Sequence, residues 1–237
     1  MKVFSFAFLI GVLAATSSLH AADITGTITL DGTPPAEVPI TPLMNDPTCG
    51  PLHKETPTTH FYVVGPNGEF GDVIVSLKDA GGNPITGKST GASAPIAVLD
   101  QKGCLYGPQI LAIQTGQKLV VKNSDPCVHN VHTTSKAGNA EHNDAQMPNG
   151  ADLTYTFDKP EMFMKFQCDV HPWMFAWVSL FDSPYFSVSG TDGKFVIKDV
   201  PPGKYTIVAD HRKLGEQTQI LEVADKDVTV NFTFHVK

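Results

Sequence analysis

Positively charged residues are scarce in this chain. Of its 237 residues, 17 are Lys or Arg and 24 are Asp or Glu, which gives a net charge of −7 at pH 7. Because nucleic-acid binding relies on clustered Lys and Arg that neutralise phosphates, this balance argues against a nucleic-acid partner. An acidic surface is compatible with a basic protein partner and equally with a role in solubility alone.

Long hydrophobic runs are missing after the N-terminus. The one apolar stretch, residues 3–15, follows Lys2 and is too short to span a bilayer. The chain then reaches Ala21, a small residue of the kind found at cleavage sites. We therefore expect residues 1–21 to be a signal peptide, the mature protein to be periplasmic or secreted, and the mature chain to have no membrane span. An uncleaved anchor is the less favoured alternative, because no second apolar span follows.

Helical periodicity is absent as well, while 20 Gly and 18 Pro separate short runs rich in Val, Ile, Phe and Thr. Such runs are typical of strands. Ile24, Ile28 and Leu30 alternate with threonines, and hydrophobic residues alternate strictly with polar ones in residues 228–236. The pattern predicts an all-β fold, most simply two sandwiches or a sandwich and a barrel.

Two short motifs carry side chains that bind soft or borderline metals. One runs from Cys168 to Met174 and includes His171, and the other contains His129 and His132. Together they offer a thiolate, imidazoles and a thioether, the ligand set of a trigonal copper site with a weak axial Met. Zinc is disfavoured, because it prefers several thiolates or three imidazoles.

The local pattern predicts how the motif around Cys168 is placed. Met164, Phe166 and Cys168 share the apolar face of a predicted strand, which directs the Cys168 sulfur inward. Pro172 disfavours helical geometry at the preceding His171. We therefore expect a tight loop after the strand that folds its donors around one point.

The two upstream histidines are three residues apart. In an extended strand this odd spacing sends His129 and His132 to opposite faces, so only one of them should be a ligand. We expect the ligand to be His129, because it follows the turn at Pro126 and lies nearer the strand end. His132 is then expected to be a surface or hydrogen-bonding histidine.

Both motifs resemble the copper motifs of the cupredoxins, and most closely those of amicyanin, whose loop reads Cys-x-x-His-Pro-aromatic-Met. The resemblance covers residues 92–182 and implies a Greek-key cupredoxin sandwich with one type 1 copper. It assigns His129, Cys168, His171 and Met174 as the copper ligands. A binuclear centre is disfavoured, because the loop lacks a second cysteine.

The other three cysteines cannot all pair within the chain if Cys168 binds the metal. Export makes a disulfide feasible. We expect a bond between Cys49 and Cys104, because Cys127 lies two residues before His129 in a segment already assigned to the site.

The terminal segments resemble carboxypeptidase regulatory-like (transthyretin-like) β-sandwich domains. The residues that carry this resemblance lie at both ends of the chain, in 24–28, 32–34, 191–195 and 200–206. We therefore predict a discontinuous second sandwich, formed by residues 22–91 and 183–237, with the cupredoxin domain 92–182 inserted into it. No catalytic residues come with this resemblance.

The sequence thus predicts an exported copper protein that carries single electrons between redox partners and is not an enzyme. The resemblance places the ring edge of His171 near the surface. Pro172, Trp173 and Met147 are expected to form an apolar docking patch around it, with core packing as the alternative role for Trp173.

Two other functions fit the sequence less well. A copper-binding or chaperone protein with exchangeable metal is the main alternative, because Cys127 and His132 lie near the site. A multicopper oxidase or nitrite reductase is disfavoured, because such enzymes need further histidines for a second copper and the remaining histidines are scattered.

Overall fold

Strands make up almost all of the regular structure, in a computed structural model that describes residues 21–236. The all-β class predicted from the sequence is confirmed. The expected signal peptide, residues 1–21, lies outside the described residues except for Ala21. Over residues 21–236, no helix has the length and apolar character needed to cross a membrane.

The described chain contains seventeen strands, one short α-helix and two short 3-10 helices. The strands are β1 (Ala22–Asp31), β2 (Ile74–Asp79), β3 (Ala97–Gln101), β4 (Tyr106–Gly107), β5 (Ile110–Gln114), β6 (Leu119–Asn123), β7 (His129–Thr134), β8 (Asn143–Gln146), β9 (Leu153–Tyr155), β10 (Glu161–Gln167), β11 (Phe175–Phe181), β12 (Phe186–Val188), β13 (Lys194–Val200), β14 (Gly203–His211), β15 (Gly215–Val223), β16 (Val228–Thr229) and β17 (Phe232–His235). The helices are α1 (Thr41–Asn45) and the 3-10 turns Gly50–Leu52 and Gly91–Ser93.

Strands β3 to β11 form one pair of sheets, which we call the insert sandwich. One sheet has the order β5-β11-β10-β7-β8 and the other the order β4-β3-β6-β9. Along β10, Met164 and Phe166 are buried while Lys165 and Gln167 are half-exposed, as the two-residue period of a strand requires. The buried face lies in one core with Leu99, Leu119 and Val121 of the opposite sheet and with Phe157, which follows β9.

The remaining strands form a second pair of sheets, which we call the terminal sandwich. One sheet has the order β12-β2-β14-β15; the other has the order β13-β1-β16, and β17 also pairs with β1. The first strand of the described chain therefore lies parallel to the last one, with Ile28 opposite Phe232. Both ends of the chain contribute to one core, which includes Ile24, Ile28, Phe70, Phe195, Ile197, Phe232 and Phe234.

The alternating pattern of residues 228–236 predicts one strand, but the structure has two. Between β16 and β17 the side chain of Asn231 accepts a hydrogen bond from the amide of Thr27 at 2.8 Å. A side-chain oxygen thus takes the place of a backbone carbonyl opposite β1 and interrupts the backbone hydrogen bonds between the strands. Val230, between β16 and β17, is still buried.

Residues 22–91 were expected to belong to the terminal sandwich, but part of this segment, after β1, packs on the insert sandwich. Ile40, Leu43 and Cys49 are buried in the core of the insert sandwich, although they precede it in sequence. Cys49 is bonded to Cys104, so the predicted disulfide is confirmed. The disulfide fixes this segment to the insert sandwich rather than to the terminal one.

Two cations at the turn after β14 join the sandwiches. Cζ of Arg212 lies 3.7 Å from the ring centroid of Trp177 on β11, and Nζ of Lys213 lies 4.0 Å from that of Phe61. Phe61 in turn stacks on Phe175, with ring centroids 6.1 Å apart. These cation–π contacts attach the terminal sandwich to the strand that follows the predicted copper loop.

Candidate metal centre

Three of the predicted ligands meet at one end of the insert sandwich. β7 and β10 are antiparallel neighbours, so the start of β7 and the end of β10 lie at the same edge of the sheet. His129 is the first residue of β7, and Cys168 follows the last residue of β10. His171 lies three residues further along the loop, and all three side chains are buried.

The donor atoms of these residues form a small triangle. Nδ1 of His129 lies 3.0 Å from Nδ1 of His171. Sγ of Cys168 lies 3.9 Å from the first nitrogen and 3.8 Å from the second. A metal bound at about 2.0–2.3 Å from nitrogen and sulfur donors holds them about 3.5–4 Å apart in a trigonal plane. The triangle therefore fits a metal ion with only a small outward movement of the two rings.

Met174 lies at the end of the same loop and is fully buried. The loop closes through two backbone hydrogen bonds, from the Met174 amide to the His171 carbonyl at 2.8 Å and from the Cys168 amide to the Met174 carbonyl at 3.1 Å. These two bonds form the tight loop that was expected here, because Pro172 disfavours a helix at His171. The assignment of the Met174 thioether as the fourth ligand stays a prediction.

Asn130 ties the two ligand segments together. Its amide points at the Cys168 sulfur from 3.5 Å. Its side chain accepts a hydrogen bond from the Asp169 amide at 2.7 Å and donates one to Asn143 at 2.7 Å. Contacts of this kind fix the positions of metal ligands.

His132 lies on the other side of β7 from His129. Its Nδ1 is 2.9 Å from a carboxylate oxygen of Asp169, and both side chains are partly exposed to solvent. The hydrogen bonds from His132, Gln167 and Asn130 lower the pKa of Asp169 to about 2. The structure thus places His129, and not His132, beside Cys168.

Asp125 holds His129 from the side away from the other donors. Its carboxylate is 5% exposed and lies 2.9 Å from Nε2 of His129. It also accepts hydrogen bonds from the amides of Gly103 at 2.5 Å and Cys104 at 2.7 Å. Because Nε2–H donates to Asp125, Nδ1 is the nitrogen that faces Cys168 and His171.

The charges at the site favour a thiolate. Burial raises the pKa of Cys168, but hydrogen bonds from His129 and the Asn130 amide bring it below its ordinary value. Burial lowers the pKa of His129, but the bonds to Asp125 and Cys168 outweigh it and raise the pKa to about 9. Burial and the charge of His129 lower the pKa of His171. His129 would have to give up its proton at Nδ1 to hold a metal ion there.

The expectation that the His171 ring edge lies near the surface is wrong. The residue is only 5% exposed, and the ring of Trp173 lies 5.2 Å away between centroids. A nitrogen of His171 lies within 4.8 Å of the sulfurs of Cys49, Cys104 and Cys127. The segment held by the disulfide therefore covers this histidine, a long-range contact that the local motif does not encode.

The sequence pattern assigns no role to Asp125 and connects Cys127 only with the chaperone alternative. Asp125 precedes His129 by four residues, but an Asp in the turn before a strand is equally typical of turn chemistry. Cys127 is a half-buried free thiol whose sulfur lies 3.7 Å from Sγ of Cys104 and 3.7 Å from Nε2 of His129. The contact with Cys104 depends on the fold of a segment that is distant in sequence.

Comparison with known proteins gives matches only among solved structures. No family model and no curated protein matches the chain. Three similar structures are a copper-containing nitrite reductase from Thermus scotoductus, a purple cupredoxin from Nitrosopumilus maritimus, and a single-residue mutant of amicyanin in its Cu(I) form. Their sequence identities to this chain are 18%, 21% and 18%, and the TM-scores are 0.34, 0.31 and 0.33.

The matched regions differ in extent. The match covers 43% of this chain and 26% of the nitrite reductase chain, so this chain spans about a quarter of that protein. For the purple cupredoxin the match covers 35% of this chain and 98% of the other, and for amicyanin 45% and 97%.

Proposed function

We propose that this chain is an exported type 1 copper protein that carries single electrons between redox partner proteins and is not an enzyme. One copper per chain is held by His129, Cys168, His171 and Met174. The observation that carries the proposal is the buried triangle of one thiolate sulfur and two imidazole Nδ1 atoms. Copper bound there supplies a Cu(II)/Cu(I) couple, and this donor set suits both oxidation states.

The surroundings of the donors support electron transfer, because they hold the ligands in one arrangement. Asp125 fixes the ring of His129, and the Asn130 amide fixes the sulfur of Cys168. The hydrogen bonds that close the loop from Cys168 to Met174 fix the backbone of His171 and Met174. Ligands held in this way rearrange little when the charge at the site changes by one electron.

The burial of His171 moves the proposed entry point for electrons to the neighbouring Trp173. This side chain is half-buried and donates its Nε1–H to the Cys104 carbonyl at 3.1 Å. Next to it in sequence Pro172 is exposed, and Met147 is 59% exposed. We place the docking surface of the redox partner at Pro172, Trp173 and Met147.

The terminal sandwich is proposed to be a transthyretin-like scaffold without catalytic residues. Its supports are the turn motifs in residues 191–195 and 200–206 and the pairing of β1 with β13. Export is proposed from the sequence of residues 1–21, and the disulfide between Cys49 and Cys104 suits an oxidising compartment.

The visible absorption spectrum of the copper-loaded protein tests the central proposal. We expect one copper per chain and an intense band from thiolate-to-copper charge transfer, which Cys168→Ala abolishes. Cys127→Ala is the matched control, because it removes a cysteine next to the site and should keep the band. A Cys168→Ala protein that stays coloured would refute the assignment.

A copper chaperone with exchangeable metal is the second candidate, and the free thiol of Cys127 beside His129 favours it. The two functions differ in the rate at which copper leaves. An electron carrier should cycle repeatedly between its oxidation states without losing copper to a competing chelator. A chaperone should release copper to the chelator during the first cycles.

A further inference from the structure

A second group of soft ligands lies beside the proposed copper site. The sulfurs of Cys49, Cys104 and Cys127 and a nitrogen of His171 all lie within 4.8 Å of one another. Cys49 and Cys104 are joined as a disulfide, and Cys127 is a free thiol. The proposed type 1 site uses none of these three sulfurs.

We propose that Cys49, Cys104 and Cys127 form a thiolate site for Cu(I) when the disulfide is reduced. Three thiolates are the soft donors that Cu(I) selects. Cys49 and Cys104 are fully buried and Cys127 is half-buried, so the site is shielded from water. While the disulfide is intact, only Cys127 offers a thiol and the site is closed.

The sulfurs are close to the positions that such an ion needs. Sγ of Cys104 and Sγ of Cys127 are 3.7 Å apart. An ion bound to three thiolates at about 2.3 Å holds the sulfurs about 4 Å apart. Only the two sulfurs of the disulfide therefore have to separate, and the third is already in place.

The backbone near the disulfide is held by other contacts, so the thiols remain neighbours after reduction. The amide of Cys49 donates to Asp46 at 2.8 Å, and the amide of Cys104 donates to Asp125 at 2.7 Å. Ile40 and Leu43 pack in the same core as both cysteines.

The chemistry balances with a dithiol as reductant. The dithiol supplies two electrons and two protons, the S–S bond breaks, Cys49 and Cys104 become thiols, and the reductant becomes a cyclic disulfide. Cu(I) then replaces thiol protons without changing oxidation state. Because His171 borders both donor groups, copper taken up here lies next to the type 1 site and can be passed to it.

Anaerobic Cu(I) titration of the mature chain tests this site. One sample is oxidised, and the other is treated with dithiothreitol that is then removed; bound Cu(I) is counted by competition with a chromogenic chelator. We expect one Cu(I) per oxidised chain and two per reduced chain. Thiol titration of denatured samples verifies the reduction, because only Cys127 and Cys168 are free while the disulfide is intact.

Two variants separate this proposal from the type 1 assignment. Cys127→Ser should bind a single Cu(I) whether or not the disulfide is reduced, and its coloured Cu(II) form shows that it is folded. Cys168→Ser should lose the first ion but still gain one on reduction. The second site is refuted if the reduced wild-type chain gains no copper, or if Cys127→Ser gains as much as the wild type. If the oxidised chain binds none and the reduced chain gains an ion that depends on Cys127, the type 1 assignment fails and this site stands.

Discussion

Asp125 is the residue on which the orientation of His129 depends. Its carboxylate binds Nε2 of His129 and the amides of Gly103 and Cys104, so it joins the ligand to the turn that carries the disulfide. If Asn replaced Asp125, an NH₂ group, which can only donate, would stand where one of the two accepting carboxylate oxygens is now.

We predict that Asp125→Asn weakens copper binding by about 10–100-fold, the usual effect of removing a group that orients a metal ligand. A chelator competition titration measures this change. Asp100→Asn is the control, because within residues 21–236 the Asp100 carboxylate accepts a hydrogen bond only from the hydroxyl of Ser124, at an exposed position. Equal affinities for the two variants would contradict the role given to Asp125.

The two histidines of β7 should respond differently to substitution. His129→Ala removes a corner of the donor triangle, and we expect the colour of the copper protein to disappear, with recovery only on addition of imidazole. His132→Ala breaks the contact with Asp169 and should keep the colour. Absorption spectra of the two variants decide the matter, and the opposite pattern would make His132 the ligand.

Met174→Leu should still bind copper, because the triangle of His129, Cys168 and His171 remains. We expect the reduction potential to shift, since a weak axial donor tunes the balance between Cu(II) and Cu(I). Voltammetry of the variant and the wild type measures the shift. Loss of all copper would show that Met174 has another role.

The residue types and spacings predict that His129, Cys168 and His171 come together, as they do in the structure, but not what surrounds them. The period of two in β10 and the odd spacing in β7 predict that Cys168 and His129 face inward, and the structure places them so. The burial of His171 depends on Cys49, which is far from the motif in sequence and reaches it through the disulfide. Local pattern does not contain that contact.

Among the elements, β1 has the most partners, because β13, β16 and β17 all pair with it. Its neighbours approach closely at Gly26. A Cβ atom at this position would lie 1.8 Å from the carbonyl oxygen of Val230 and 2.6 Å from the ring of Phe195. Only glycine permits this approach.

We predict that Gly26→Ala lowers the free energy of unfolding of the terminal sandwich by about 2–3 kcal/mol, since the backbone of Val230 has to move. Urea unfolding measures the loss. The colour of the copper site in the insert sandwich should persist, and Thr27→Ala on the same strand is the control. An unchanged midpoint for Gly26→Ala would contradict the packing described for β1.

Sequence pattern predicted β1 and β10 well, because hydrophobic and polar residues alternate in both. It did not predict β15, whose residues are mostly exposed and lack a clear apolar face. This strand forms through nine backbone pairings with β14. A strand stabilised mainly by its neighbour leaves little signal in hydrophobic periodicity.

In the whole molecule, a pocket of about 300 Å³ lies between the two sandwiches, and Asp210 is one of its lining residues. Burial raises the pKa of Asp210 to about 6; the charge of Glu216 adds to the rise and that of Lys78 opposes it. A raised carboxyl pKa means that the folded state binds the proton more tightly than the unfolded state. Asp210 therefore destabilises the fold increasingly as the pH rises from about 4 to 6.

We predict that Asp210→Asn raises the free energy of unfolding at pH 7.5 by about 1–2 kcal/mol and has little effect at pH 4. The gain is less than the full shift implies, because the side chain keeps some access to water. Thermal unfolding at the two pH values measures it. Glu222→Gln, on exposed β15, serves as the control and should show no such difference.

The pairing of β1 with β17 sets an order in which the protein can fold. Residues such as Thr29 and Thr233 that face each other in this pair are 204 positions apart. During synthesis, which starts at the N-terminus, β1 cannot pair with β17 until almost the whole chain has been made. All strands of the insert sandwich are present before that point. Copper, bound as proposed, would therefore meet a finished site on a protein whose terminal sandwich is still incomplete.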